Sequence, residues 1–548
     1  MTEVKRVFTV KGKPFYPLGA QADNQSGRSS SESETAFKAV KMLHGNTLLI
    51  AVHWEQIEPE EGKFDFSCVD ALLANARRYD LKLILLWFAT WFAGTMDFSP
   101  AWVKTNPKRF KQVTSPSGKI IWSLSPHCKA TLEADKKAFT AFCKYLKTKD
   151  SVEQTVIGIQ VENEPGIVGS DRDYGPEAQA EFDSPVPTKL VTAMKTAGKG
   201  SIYDIWQLAG GKKSGTWPEL FGWEAGELMT ARSIATYIDA VAEAGKTVYD
   251  IPMYINVWIM AYPFWSLPGV HHAAGGAVSR VLDIYKWSTP HVDIIAPDVY
   301  LRDTKSFEYA CAAYSRKDNP FFLPESVQEV TNGGRSAQPW NMFRAMAEYN
   351  LTGYFFFGVE FIVTEDGSPR PEFRTLVDTM HCMSAVIPLL LKYQGTGKVH
   401  AVAQDEFVSA QGFDFDGYMG LTQFGGVQGN TDWKDWRHPP DEAMYKETPG
   451  FNRGRGLIFQ ASRNEFYVVG ANYRLVLRPK PTTDTLQEIL PVPDLIHTML
   501  SPYISVDEGH FDKNGKFVAE RRRNGGQVFN GIWVEPDCGV VRVVMREQ

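Results

Sequence analysis

The feature that most constrains this 548-residue chain is an alternation running from residue 16 to residue 383. Eight short apolar runs are each followed by an amphipathic stretch. The runs are 16–20, 47–52, 81–87, 156–161, 252–257, 292–297, 320–323 and 353–357. Each is about strand length and lacks strict polar alternation, as expected of parallel strands covered on both faces. The amphipathic stretches are 32–44, 69–79, 132–147, 231–245, 277–287, 306–315, 340–349 and 373–383. In the third, Phe139, Phe142, Cys143 and Leu146 recur at three- and four-residue spacing, one face of a helix. Eight strands alternating with eight helices predict a (β/α)₈ barrel of the α/β class.

A short hairpin, FTV-KGKP-FYPLGA, precedes the alternation. Two segments interrupt it. Residues 88–130 carry Trp91, Phe92, Trp102 and Trp122, and residues 165–230 are rich in Gly, Pro and Asp. Both leave the C-terminal ends of predicted strands, where barrels place their active sites, and loops this long are usually functional. After about residue 390 the pattern changes to alternating stretches at 398–403, 456–460, 465–469, 474–477 and 540–544. They predict an all-β, sandwich-like domain. The expected division is therefore a catalytic barrel over 1–390 and a β domain over 391–548. With no surface aromatic triad legible in it, the β domain reads as a structural or oligomerisation element, and a homo-oligomer stays open.

Composition narrows the function classes. A net charge of −6 and a pI near 6.1 argue against a nucleic-acid partner, which would favour a basic face. The six cysteines form no CxxC pair, so free, mostly buried thiols are expected. No segment has the ~18 consecutive apolar residues of a membrane span, and the opening residues carry no signal-peptide core, so a cytoplasmic protein with no membrane contact is expected. Aromatic residues make up 13% of the chain, which suits a site where sugar rings stack on flat side chains.

The chemistry concentrates at two strand ends. In VIGIQVENEPG, residues 156–166, an apolar strand runs into Glu162, Asn163 and Glu164 before Pro165 ends it. A carboxyl group at a barrel mouth is partly desolvated, which raises its pKa and suits it to donate a proton. In FFLPES, residues 321–326, a second apolar run ends in proline and Glu325. The fourth and seventh strands of a closed eight-stranded barrel face one another across the mouth. Carboxyl groups there about 5 Å apart would supply a nucleophile and an acid/base for double displacement, whereas a gap of ~6.5–9.5 Å would admit water and invert.

These motifs carry a family resemblance. Asn-Glu after the fourth strand with Glu after the seventh resembles the retaining barrel glycosidases of clan A. IQVENEPG resembles the corresponding segment of the family 35 β-galactosidases, and HWEQIEPEEGKFDFS, residues 53–67, resembles the stretch after their second strand. KGKPFYPLGA is similar to the opening of family 35 and family 42 enzymes. The chain departs from family 35 at LLWFATWFAG and LPESV, which suggests a divergent branch with a β-rich C-terminal domain.

The resemblance implies an exo-acting, retaining β-glycosidase without a cofactor or metal, taking an oligosaccharide or glycoside, with galactosides first. Glu164 would be the acid/base and Glu325 the nucleophile. Asn163 would bond the sugar 2-hydroxyl and Tyr300 would hold the nucleophile. Glu162 and Glu360 are candidates to accept sugar hydroxyls, and Trp54, Trp87, Trp91 and Trp258 are candidate stacking platforms, each with core packing as its competing use. His53 and the pair His271–His272 have no third ligand spaced with them. A transglycosylase or β-glucoside-active enzyme would use the same carboxylates. A non-catalytic carbohydrate-binding protein on an inherited barrel is the reading from another class.

Overall fold

A computed structural model describes residues 4–259, 266–301, 303–327, 338–405, 410–424, 453–480, 503–523, 525–528 and 531–546. Eight parallel strands follow one another around a barrel: β1 (Leu18–Gln21), β2 (Thr47–His53), β3 (Lys82–Phe92), β4 (Val156–Asn163), β5 (Met253–Trp258), β6 (Ile294–Val299), β7 (Glu325–Ser326) and β8 (Tyr354–Phe357). β8 pairs back onto β1 with Tyr354 opposite Leu18. Between β7 and β8 a single bridge, Leu323 to Tyr354, completes the circuit. The seventh strand differs from the 320–323 expected from sequence. Pro320 and Pro324 have no N–H to give a neighbour, so regular pairing with β6 resumes only at Glu325.

The helices that cover the strands are α1 (Ser30–Met42), α2 (Ser67–Arg78), α3 (Lys129–Asp150), α4 (Ala225–Val248), α5 (Leu282–Ser288), α6 (Thr304–Tyr314), α7 (Gln338–Glu348) and α8 (Arg374–Ala385). Phe139, Phe142, Cys143 and Leu146 of α3 are buried together, as their spacing predicts. The Trp87 ring lies 5.6 Å from that of Phe139 and 5.3 Å from that of Phe142. Inside the barrel a second apolar layer holds Leu49, Ile84, Leu86, Tyr254, Phe322 and Phe355. The N-terminal hairpin plugs the strand-start end: Phe8 enters the barrel and sits 5.1 Å from Phe322. Gly158 makes room for it, since a Cβ there would lie 2.8 Å from the Phe8 ring.

Residues 165–230 prove to be mostly helical. Short helices at Pro176–Phe182, Thr188–Ala197, Ser201–Leu208 and Trp217–Phe221 separate β4 from α4. The last begins with a capping box, in which the Glu219 carboxylate accepts from the Thr216 N–H at 2.8 Å. The segment after β3 carries a small hairpin, Gln112–Thr114 with Ile120–Leu124.

Beyond the helix Ile387–Tyr393, two antiparallel sheets of six and four strands form among the described residues. Side chains alternate across the six-stranded sheet. Ile458, Phe466, Val468 and Val541 face Tyr418, Tyr473, Leu475 and Ile532 of the other sheet, making a sandwich core. Leu457, Phe459, Val469 and Val540 point the opposite way and join the barrel's core. A buried Arg455 also reaches across, donating to Thr379 Oγ1 of α8 at 2.9 Å.

All six cysteines are free, five of them buried. Among the described residues no single helix is long and apolar enough to cross a membrane, and one bent pair, Pro371–Ala385 with Ile387–Tyr393, reaches the length and composition together.

Candidate active site

The strand β4 turns sharply where its chemistry begins. Glu162 and Glu164 both have positive φ, 64° and 43°, in the left-handed region that costs side-chain-bearing residues energy. Regular alternation would put Gln160, Glu162 and Glu164 on one face. The left-handed residue at 162 inverts that order. Asn163 now lies beside Gln160, whose Nε2 donates to Asn163 Oδ1 at 2.9 Å, while Glu162 is driven into the layer between β4 and α3.

Asn256, in β5, locks the turn. Its Nδ2 donates to Asn163 Oδ1 at 3.0 Å and to Asp298 Oδ2 at 2.8 Å, and its Oδ1 accepts from the Glu164 N–H at 2.8 Å. With Asn163 Oδ1 taken by two donors, its Nδ2 is the group left to give a ligand a hydrogen bond. Across the mouth, the Glu325 carboxylate accepts from Tyr300 OH at 2.5 Å and from Gln21 Nε2 at 3.1 Å. One carboxylate oxygen each from Glu164, Asp298 and Glu325 lies within 4.8 Å of the others.

Three carboxyl groups this close cannot all ionise. Burial, followed by the charge of Glu325, pushes Glu164 up to about 8. Burial and both neighbouring glutamates push Asp298 well above the usual carboxylate range. Burial also raises Glu325, but Tyr300 and Gln21 oppose this by donating to its charged form. The Tyr300 hydroxyl is itself raised, by burial and by Glu325, and so stays a donor. Two donors aimed at Glu325 favour its charged form, and that charge in turn raises Glu164, so the two environments push the pair apart.

The structure brings Glu164, Glu325, Asn163 and Tyr300 together, and Trp258, which ends β5, is 40% exposed. Other candidates lie elsewhere. Glu162 is fully buried: its Oε2 accepts from the Trp91 N–H at 2.7 Å, and it shares hydrogen with Asp135 of α3. Burial and that neighbour push Glu162 far up, and in this structure its carboxyl braces the backbone at Trp91 behind the rim. Trp54, Trp87 and Trp91 are also fully buried. Their indole N–H groups are spent on Glu58, Asp135 and the Leu124 carbonyl at 2.9, 3.0 and 3.2 Å. These three tryptophans fill the core because a long apolar strand needs bulky partners on its helix side. Glu360 accepts from the Asp23 N–H at 2.9 Å and Ser26 Oγ at 2.5 Å, bracing the loop after β1. His53 stacks 4.2 Å from Phe98 with its Nε2 on the Asn24 carbonyl, and His272 pairs with Glu227 at 2.5 Å. His272 has both ring nitrogens engaged, its Nδ1 meeting Ser266 Oγ at 2.7 Å, whereas His53 is a packed core ring whose buried Nδ1 has no partner among the described residues.

Trp87→Ala is therefore expected to act on stability. Removing a fully buried aromatic should lower the unfolding free energy by about 3–5 kcal/mol, read by urea denaturation. A stacking platform would instead raise KM with stability intact.

Gln21, Asn256 and Asp298 were not singled out in the sequence. Each is a polar residue near the C-terminal end of an otherwise apolar strand, where burial without a purpose would be costly.

A family described as beta-galactosidase, glycoside hydrolase family 42, matches residues 27–206, which include Asn163 and Glu164. A domain of unknown function matches residues 379–535. No curated protein matches the sequence. Among solved structures, the chain is similar to the catalytic domain of a beta-amylase from Paenibacillus polymyxa, at 14% identity and a TM-score of 0.47, covering 65% of this chain and 95% of that one. It is also similar to a beta-galactosidase from Bacillus circulans sp. alkalophilus, at 16% identity and a TM-score of 0.47, covering 69% and 57%. A third is the beta-galactosidase from Rahnella sp. R3, at 15% identity and a TM-score of 0.47, covering 72% and 58%. The chain thus spans a little under three fifths of each of these two galactosidases. Family 42, one of the two families that the opening hairpin resembles, has a match on this chain over residues that follow the hairpin. That match lies over the second to fourth strands of a (β/α)₈ barrel that gathers carboxyl groups at its C-terminal mouth.

Proposed function

We propose that the chain is a retaining, exo-acting β-glycosidase, with β-galactosides as its first substrate class. The observation that carries this reading is the approach of the Glu164 and Glu325 carboxylates to within 4.8 Å. That spacing suits direct attack on the sugar and is too short to seat a water for inversion. In the first step Glu325 bonds to the anomeric carbon as the glycosidic C–O bond breaks, and Glu164 gives its proton to the departing oxygen. In the second, Glu164, now a carboxylate, takes a proton from water as that water attacks the glycosyl ester and Glu325 leaves. Asn163 Nδ2 is oriented to hydrogen-bond the 2-hydroxyl, a contact that strengthens as the ring becomes oxocarbenium-like. Tyr300 and Gln21 hold Glu325 ionised and aimed.

The test is proton NMR of the first product formed from a panel of 4-nitrophenyl β-glycosides. A β-anomer appearing first, mutarotating later, is the expected result, with the β-galactoside turned over fastest. An α-anomer first would replace retention by inversion. Faster turnover of another sugar would change the substrate class and leave the mechanism in place.

A further inference from the structure

The segment between β4 and α4 builds a second feature that the carboxylate chemistry does not use. A cavity of about 340 Å³ lies between it and the loop after β5, lined by Ser170, Asp171, Trp223, Glu224, Leu267 and Val270 among others. Trp223 is 81% exposed and Val270 66%, unusual for such side chains unless something covers them. The walls are rigidly joined, since the Gly169 N–H donates to the Gly269 carbonyl at 2.7 Å and Thr230 Oγ1 donates to the Asp171 carbonyl at 3.1 Å. The floor is charged. Glu224 is gripped by Arg280 at 3.0 Å, and Arg280 also pairs with the buried Glu227. Asp171 packs against Gly226, where a Cβ would meet its Oδ2 at 2.0 Å.

An exposed aromatic ring on the same wall as the carboxylates of Asp171, Glu224 and Glu227 matches a ligand with one C–H face and a fringe of hydroxyls. A purely apolar ligand would desolvate those carboxylates with no hydroxyl to replace the water they lose. The position is equally specific. Gly169 follows Glu164 by five residues, so the cavity edge is no more than about 18 Å from the proton donor. It lies on the segment that carries Glu164, the residue that in the reading above faces the leaving group.

We infer that this cavity is a subsite for the leaving-group portion of a β-linked oligosaccharide, with Trp223 as its stacking platform and Asp171 and Glu224 accepting hydroxyls. The inference rests on the proposed glycosidase reading, and it extends the substrate from a small glycoside to a chain of several sugars.

Calorimetric titration of Glu325→Gln with β-1,4-galactotetraose, cellotetraose and galactose tests it directly. One tetraose is expected to bind, and to bind about tenfold more weakly when Trp223→Ala is added, while galactose affinity changes less than about twofold. In the otherwise active enzyme, Trp223→Ala should raise KM for that tetraose about tenfold and leave 4-nitrophenyl β-galactoside within about twofold. Trp223 is exposed, so the substitution spares the core, and Trp223→Phe should recover much of the binding. Equal tetraose binding with and without Trp223, or no binding of either tetraose, overturns the subsite. A Trp223-dependent dimer in size-exclusion chromatography with unchanged sugar binding would overturn it in favour of a second copy of the chain. If wild type cleaves no glycoside, the glycosidase reading fails and the titration alone decides the subsite.

Discussion

Glu325→Ala is expected to lower kcat on 4-nitrophenyl β-galactoside by about 10⁴-fold or more, the scale seen when a covalent nucleophile is lost. Azide should restore part of the rate and leave an α-glycosyl azide as product. Without the carboxylate, the space it filled on the α face admits a small anion, and a single displacement inverts the centre. Glu164→Ala should behave differently with the same additive, because Glu325 still forms the glycosyl ester and azide then intercepts it to give the β-azide. The two azides, separated by NMR, assign the two roles independently of the size of either rate loss. Retention of most activity by Glu325→Ala would move the nucleophile elsewhere. Asp298 would be the next residue to test, since it lies in the same carboxyl cluster.

The second large effect is in the pH profile. Glu164 must be protonated to act as an acid, and burial with the adjacent Glu325 charge carries its pKa up to about 8. kcat/KM is therefore expected to hold through neutral pH and to fall about tenfold per unit once pH rises well past 8. In Glu164→Gln that alkaline limb should vanish for a substrate with a good leaving group, while substrates needing protonation stay nearly inert.

The same shift predicts a stability effect of definite sign. The folded-state pKa lies above the ordinary value of 4.5, so between the two the folded enzyme binds more protons than the unfolded chain. The stability tied to this group is fully present below about pH 4.5 and is lost as pH rises toward 8. Glu164→Gln removes the penalty of charging a crowded, buried site. Its melting temperature relative to wild type should thus be higher at pH 8 than at pH 4.5. An equal difference at both pH values would mean that Glu164 has an ordinary pKa and is not the poised acid.

The barrel itself was legible from one dimension. Apolar runs of strand length, interrupted by helix-period stretches, leave few other ways to bury both faces of a sheet, and Glu164 and Glu325 could be found because each directly ends such a run at a proline. The seventh strand was the exception, because Pro320 and Pro324 remove the donors that pairing requires and so moved it past the apolar run. The tryptophans show the opposite limit. Trp87 and Trp91 look the same in sequence whether they face a sugar or a helix, and only their packing against α3 and α4 distinguishes the two uses.

Sequence alone determined the order of strands and helices, and it placed Glu164 and Glu325 at the ends of apolar runs. Tertiary structure decided everything that depends on direction and on neighbours remote in the chain. The left-handed backbone at Glu162 turned that residue into the core and Asn163 toward the mouth. Asn256, Asp298 and Gln21 joined the site from other strands, 92, 134 and 304 residues away from their partners Glu164, Glu164 and Glu325. Hydrogen bonding and desolvation act over a few ångströms of space, whatever the separation along the chain, so the protonation of Glu164 was set only when the barrel closed.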